Sequence, residues 1–385
     1  MPHFPAALSS RLPGVGTTIF TVMSRLAQES GAINLSQGFP DFQAEAALFE
    51  AVARAMAAGC NQYAPMAGVA ALREAIAAKV ADLYGTVFDP ETEITVTAGA
   101  TQALFTAVAA LVHPGDEVIV FEPVYDSYAP AVALQGGVVR RVRLAAPDYR
   151  PDWAAVAAML SPRTRLIMIN SPHNPTGAVW SATDMAALER LVRGTDIVVV
   201  ADEVYEHIVF DGRRHESVAR YPGLAERSLM VSSFGKTYHI TGWKVGFVAG
   251  PRALMAEFRK VHQFNVFAVN TPMQHALADY MADPDRHLGL AAFYQGKRDF
   301  FRDALAMSRF ELLPCAGTYF QLARYDRISD EPDVPFAERL TREAGVAAIP
   351  VSAFFADGRD DRVIRFCFAK SEATLAAAGE RLARV

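Results

Sequence analysis

The sequence predicts an α/β fold: a large, doubly wound domain built on a mainly parallel sheet, and a smaller α+β domain. Three observations predict it. First, seven short apolar runs alternate with amphipathic helical stretches through the middle of the chain. Second, several of those runs are rich in Val and Ile, as strands covered on both faces are. Third, the 385 residues exceed what one small core organises, and the pattern changes beyond about Pro284.

Residues 1–45 read as irregular, with Pro and Gly interspersed. The seven runs follow: Ile94–Ala98, Glu117–Phe121, Val138–Leu144, Leu166–Asn170, Asp196–Ala201, Leu229–Ser232 and Val245–Ala249. Helical stretches such as Thr101–Val112 and Ser181–Val192 lie between them. After Pro284 a helical stretch leads into three strand-like runs, Phe310–Leu322, Val346–Pro350 and Val363–Phe368, with helices between. The expected division is a large domain over 46–283, and a small domain made of 1–45 and 284–385. A doubly wound sheet binds ligands in the crevice beyond the carboxyl ends of its strands.

Composition narrows the function classes. Hydrophobic residues make up 51% and charged residues 21%, which fits a globular enzyme rather than a disordered chain. The 37 basic and 42 acidic residues give a net charge of −5, and no basic run stands out, which removes the electrostatic case for nucleic acid. Cys60, Cys315 and Cys367 are odd in number and far apart, so neither a disulfide framework nor a zinc site is expected. They read as buried or half-buried thiols. Met1–Ser10 shows no secretory signal, and no stretch has the roughly 18 apolar residues of a membrane span, so a cytoplasmic location is expected.

Five pieces carry chemistry. Lys236, in Ser232-Ser233-Phe234-Gly235-Lys236-Thr237, follows a strand and adjoins small residues. It reads as a solvated loop lysine or as a desolvated amine nucleophile toward an aldehyde. Asp202 ends a buried run, so its carboxylate needs a partner. It reads as a helix N-cap or as the counter-ion of a protonated pyridine nitrogen, with Tyr205 three residues on. Asn174-Pro175-Thr176-Gly177 is an ordinary turn by composition, but it follows a strand of the same sheet. Thr97-Ala98-Gly99-Ala100-Thr101-Gln102 joins a strand to a helix, where small residues admit an anion to the helix N-terminus. It is neither GxGxxG nor a Walker motif, so nicotinamide and nucleoside triphosphate readings lose ground. Lys244 and Ser233 add possible phosphate contacts. Arg365, in Ile364-Arg365-Phe366-Cys367-Phe368, sits on the exposed face of an edge strand or is a bidentate fork for a carboxylate.

In this order the five pieces resemble the class I and II aminotransferases of pyridoxal-phosphate fold type I, over essentially the whole chain. The resemblance is most specific to methionine aminotransferases of bacteria and to the kynurenine aminotransferases, also called glutamine transaminase K. Ile33–Phe42 (INLSQGFPDF), Asn61–Pro65 (NQYAP) and Ser232–Gly246 (SSFGKTYHITGWKVG) carry that match. It implies a mainly parallel seven-stranded sheet, pyridoxal 5'-phosphate as cofactor and a homodimer with shared active sites. Lys236 would hold the cofactor covalently, Asp202 its ring nitrogen, and Asn174 and Tyr205 its ring hydroxyl. Tyr125 would stack on the ring. Gly99, Ala100, Thr101, Ser233 and Lys244 would form the phosphate cup, joined by Tyr63 from the neighbouring subunit. Arg365, Asn174 and the Gly38 backbone would hold the substrate α-carboxylate, while Phe20 and the neighbouring subunit's Phe267 would contact its side chain. Phe20 stands where kynurenine aminotransferases often carry Trp. The implied reaction moves the amino group of methionine, or of aromatic and other long apolar amino acids, to a 2-oxo acid, ping-pong through pyridoxamine phosphate. Kynurenine or glutamine transamination and cysteine-S-conjugate β-lyase activity are alternatives in the same site. A cofactor-sensing regulator is disfavoured, since no DNA-binding segment is evident. His173 and His239 adjoin the motifs but are given no chemistry.

Overall fold

A computed structural model describes residues 8–385; the first seven residues of the Met1–Ser10 stretch lie outside the described residues. The strands in chain order are β1 (Ile33–Asn34), β2 (Ile94–Thr97), β3 (Glu117–Glu122), β4 (Val138–Arg143), β5 (Thr164–Asn170), β6 (Val198–Asp202), β7 (Ser228–Ser233), β8 (Gly246–Ala249), β9 (Glu311–Leu312), β10 (Phe320–Arg324), β11 (Val346–Ala347), β12 (Ile349–Pro350) and β13 (Val363–Cys367). Seven of them form one sheet in the order β2-β8-β7-β6-β5-β3-β4. All neighbours from β7 to β4 pair in parallel, and only β8 runs against the rest.

That arrangement positions the site. The parallel strands end at one edge, which brings Thr97, Asn170, Asp202 and Ser233 together. Asn170 pairs with Asp202 across β5 and β6. Because β8 is antiparallel, its beginning meets the same edge: Gly246 pairs with both Thr97 and Ser233. A Cβ at Gly246 would stand 2.6 Å from the Ser232 carbonyl oxygen, so this crossing requires glycine. The interior strands are buried at every position but Arg165 and Val198, which are half-buried, as strands covered on both faces are.

Some details depart from the sequence reading. Val138–Leu144 is one of the seven apolar runs, yet β4 is the edge of the sheet and its positions alternate outward and inward. Its arginines face acids, with Arg141 3.1 Å from Glu122 and Arg143 2.5 Å from Asp357. Charge along an edge blocks further strand pairing. Residues before β1, expected to be irregular, include a helix at Ile19–Glu29. The Thr18 hydroxyl accepts from the Thr21 N–H at 3.3 Å and caps it, while Met23, Leu26 and Ala27 pack inward at helical spacing.

The remaining strands form an antiparallel sheet, β12-β13-β10-β9, and a parallel pair, β1-β11. Val346–Pro350, which reads as one strand, is divided between the two. Ile33 pairs with Val346 in the two-stranded sheet, whereas Ile349 pairs with Arg365 in the four-stranded one. β1 therefore ties the N-terminal segment to the C-terminal part of the chain. No helix among the described residues is long and apolar enough to cross a membrane.

Candidate active site

A cavity of about 280 Å³ opens at the carboxyl edge of the seven-stranded sheet. Its lining includes Phe20, Gly38, Gly99, Ala100, Thr101, Tyr125, Asn174, Asp202, Tyr205, Ser233, Lys236, Lys244 and Arg365, all singled out from sequence. They arrive from stretches far apart in the sequence, such as 20–38, 99–101, 125, 174, 202–205, 233–244 and 365, so only the fold brings them together.

Lys236 lies in the short helix Phe234–Thr237 directly after β7. Its Nζ donates to the Tyr319 hydroxyl at 3.0 Å and approaches the Gly38 carbonyl at 3.4 Å. No carboxylate forms an ion pair with it among the described residues, and burial brings its pKa down to about 8. Near neutral pH such an amine reaches its neutral, nucleophilic form far more readily than an exposed lysine.

Asp202 closes β6 and is buried. Burial pushes its carboxyl up to about 6, against a 2.5 Å hydrogen bond from the Tyr128 hydroxyl, a weaker one from the Val204 N–H and the charge of Lys236. Asp202 is not a helix N-cap: it is followed by a turn, not a helix. Next to it, the Asn170 amide donates to the Asp202 carbonyl at 2.9 Å and accepts from the Asn174 N–H at 2.8 Å. Asn170 thus fixes the turn that carries Asn174. Asn170 and Tyr128 were not singled out from sequence. Asn170 carried a usable signal, since it ends its strand level with Asp202; Tyr128, reaching in from the helix Tyr128–Leu134, carried none.

Below this edge a buried carboxylate holds the 203–206 turn. Glu206 accepts from Lys79 Nζ at 2.6 Å, from Ser232 Oγ at 2.5 Å and from the Tyr84 hydroxyl. The turn aims the Tyr205 ring into the cavity, edge-on to Tyr319 at 5.1 Å between centroids.

At the other end of the cavity the helix Ala100–Leu111 begins. Gly99 caps it with φ +80°, a conformation natural to glycine, and no side chain caps its first turn. Its unpaired N–H groups and positive dipole end face the cavity. The Lys244 amine lies above: a Cβ on Gly99 would be 3.5 Å from Lys244 Nζ.

Arg365 sits in β13, between β12 and β10, and is 1% exposed, so it is not on an exposed edge. Its guanidinium donates to Asn174 Oδ1 at 2.6 Å and to the Ser36 carbonyl at 3.2 Å, and its Nε has no partner. The rings of Phe20, Phe320 and Phe354 surround it, at 5.3, 3.9 and 5.3 Å from the guanidinium carbon. No acid pairs with it among the described residues. Burial lowers its pKa to about 10. A buried cation without an anion is costly, and the deficit is what a carboxylate ligand would supply.

Two expected residues do not reach this cavity. Tyr63 and Phe267 are 83% and 49% exposed and pack edge-on against each other at 5.2 Å. His173 and His239 are withdrawn from solvent, and burial lowers each to about 4.

The family profile of aminotransferase class I and II matches residues 30–382. The chain belongs to that family. It is 56% identical to the methionine aminotransferase of Escherichia coli (strain K12) over 383 residues, covering 99% of each chain. A probable N-succinyldiaminopimelate aminotransferase of Mycobacterium tuberculosis is 42% identical, with 97% of each chain covered. Kynurenine–oxoglutarate transaminase 1 of Rattus norvegicus is 35% identical, covering 97% of this chain and 96% of that one. Among solved structures, YbdL from Escherichia coli, described as having a methionine aminotransferase function, superposes with a TM-score of 0.97 at 56% identity, covering 99% of this chain and 100% of that chain.

The protein is therefore an aminotransferase that works with pyridoxal 5'-phosphate. The residues fit that cofactor on their own chemistry. An uncapped helix start with a lysine above it suits a phosphate, a buried carboxylate suits a ring N–H, and an amine with a lowered pKa suits an aldehyde.

Proposed function

We propose that this enzyme transfers the amino group of methionine, and of other long apolar or aromatic amino acids, to a 2-oxo acid. The observation that carries the reading is the pairing, in one cavity, of an amine and a guanidinium that both lack a carboxylate partner among the described residues. An amino acid supplies that carboxylate, and its α-carbon then lies beside the amine.

In this reading Lys236 binds the cofactor covalently, takes the α-proton from the substrate once its amine is released, and returns it as an acid. Arg365 grips the α-carboxylate with its Nη atoms, and Asn174, its Oδ1 already accepting from Arg365, has its Nδ2 left to donate. The Gly38 backbone closes the same end. Asp202 keeps a proton on the ring nitrogen. Tyr205 and Asn174 serve the ring hydroxyl, Tyr125 lies against the ring face, and Gly99, Ala100, Thr101, Ser233 and Lys244 take the phosphate. The bound cofactor supplies an aldehyde and an electron-poor ring that accepts the charge left when the α-proton departs.

Methionine as donor is supported by the 56% identity to a methionine aminotransferase and by the apolar rings of Phe20 and Phe320 at the carboxylate end, since thioether sulfur packs well against aromatic edges. Apolar pockets discriminate weakly, so overlap with aromatic donors is expected. A homodimer in the cytoplasm is part of the proposal. The solvent-facing Tyr63–Phe267 pair supports it, because each subunit would complete the partner's site with these two rings. The division into a large domain over 46–283 and a small one over 1–45 and 284–385 goes with it, supported by the separate sheets.

Initial rates with methionine, phenylalanine, kynurenine, N-succinyldiaminopimelate and aspartate, each against several 2-oxo acids, test the reading. Methionine should rank first or share first place with an aromatic donor. Aspartate as the best donor would overturn it.

A further inference from the structure

Tyr319 touches Lys236 but has no part in the reaction as read so far. It is fully buried, and its hydroxyl donates to the Gly38 carbonyl at 2.6 Å. A phenol has one proton. With that proton committed to Gly38, the oxygen turns a lone pair toward Lys236, whose Nζ donates to it at 3.0 Å. Among the described residues, the other hydrogen-bond acceptor of the amine is the same Gly38 carbonyl, at 3.4 Å.

The backbone is built to hold this oxygen in place. Thr318, immediately before Tyr319, has φ +64°, an outlier for a β-branched residue. The Thr318 N–H donates to the Ile208 carbonyl at 2.9 Å, and a Cβ on neighbouring Gly317 would stand 2.8 Å from that oxygen. The strained turn is thus pinned to the segment that carries Tyr205. A Cβ at Gly38 would lie 2.9 Å from the Phe320 ring, so the Gly38 turn is seated directly on the start of β10. Three distant parts of the chain meet at one hydroxyl.

We propose that Tyr319 is a positioning residue for Lys236: its hydroxyl, oriented by the Gly38 carbonyl, holds the released amine where it exchanges the α-proton. The inference rests on the reading of Lys236 given under the proposed function. When the amine takes the proton it becomes an ammonium. One N–H points at Tyr319 before and after, the transferred proton stays on nitrogen until it returns to substrate or cofactor, and Tyr319 keeps its own proton on Gly38. A lone pair facing the amine favours the ammonium form, because that hydrogen bond strengthens with charge. It acts with Asp202 and Cys367, and against Lys244, Arg365 and the burial that lowers the amine to about 8. The ring faces of Tyr205 and Tyr319 lie 5.7 and 5.6 Å from Nζ.

The test uses Tyr319→Phe in the full-length protein, which keeps the ring and removes the oxygen. In cofactor-free protein, Lys236 is acylated with a small reagent across a pH series, and its peptide is quantified by mass spectrometry. Its apparent pKa should fall by about one unit, the size expected for losing one charge-assisted bond partly replaced by Gly38. In the holoenzyme, kcat should fall about 10–100-fold with KM for methionine within threefold, and the isotope effect for α-deuterated methionine should rise. An unchanged Lys236 profile, with or without loss of kcat, overturns the proposal. If Tyr319→Phe does not fold, site-specific 3-fluorotyrosine, which keeps the packing and weakens the oxygen as acceptor, should lower the amine's pKa by a smaller amount; no shift there overturns it equally. The underlying reading fails separately: Lys236 of wild-type holoenzyme should be protected from the reagent by pyridoxal phosphate, and lack of protection condemns the lysine assignment whatever Tyr319 does.

Discussion

Replacing Arg365 separates a ligand-binding cation from a structural one. Its pKa of about 10, against an ordinary 12.5, corresponds to about 3 kcal/mol of desolvation left unrelieved by an anion. The bonds to Asn174 and Ser36 and the faces of Phe20, Phe320 and Phe354 return about as much. Arg365→Met keeps the length and packs against the same rings, so the melting temperature should stay within about 2 °C of wild type. The substrate side is different. Two charge-assisted bonds to a carboxylate, at about 2 kcal/mol each, are lost, so kcat/KM should fall about a thousandfold, mainly through KM. Arg365→Lys retains one bond and should cost about thirtyfold. The assay is initial rates with methionine as donor, with thermal unfolding in parallel. A kcat/KM within tenfold of wild type for Arg365→Met would refute the carboxylate role. A melting temperature lower by more than about 8 °C would show the arginine to be a structural element instead.

Other perturbations follow from the same geometry. Asp202 has its folded pKa raised to about 6 from 3.8, so in cofactor-free protein it destabilises the fold as pH rises from about 4 to about 6. Asp202→Asn should therefore stabilise the cofactor-free protein by about 3 kcal/mol at pH 7–8, with the gain vanishing below about pH 4, while activity falls by several orders of magnitude; denaturant titrations at several pH values check this. Gly246→Ala places a methyl 2.6 Å from the Ser232 carbonyl oxygen, and backbone cannot step aside, so a loss of about 3 kcal/mol or more in unfolding free energy is expected. Gly38→Ala meets the Phe320 ring at 2.9 Å and should displace the Gly38 turn, lowering kcat/KM about tenfold with a smaller effect on stability.

Much of the cavity was legible because strand-end residues announce themselves. Lys236, Asp202 and Asn174 each follow a Val- or Ile-rich run, and a parallel sheet gathers such ends at one edge whatever the loop lengths. Lys244 joins them only because β8 is antiparallel, a direction no run of apolar residues reveals. Tyr128 and Tyr319 were not legible for the same kind of reason. Their roles depend on which strand neighbours which, and on a strained turn at Thr318 that composition does not mark. The helix Ile19–Glu29 is masked in the sequence by the Pro and Gly residues around it, although Thr18, Met23, Leu26 and Ala27 carry its cap and spacing. Val346–Pro350 looked like one strand since β propensity does not record a change of partner.

The most direct test of the whole account is the identity of the lysine that carries the cofactor. Holoenzyme reduced with borohydride and digested should yield one pyridoxyl-labelled peptide, modified at Lys236, and Lys236→Ala treated alike should yield none. A label on Lys244, on any other lysine, or on none in the wild-type protein would contradict the account.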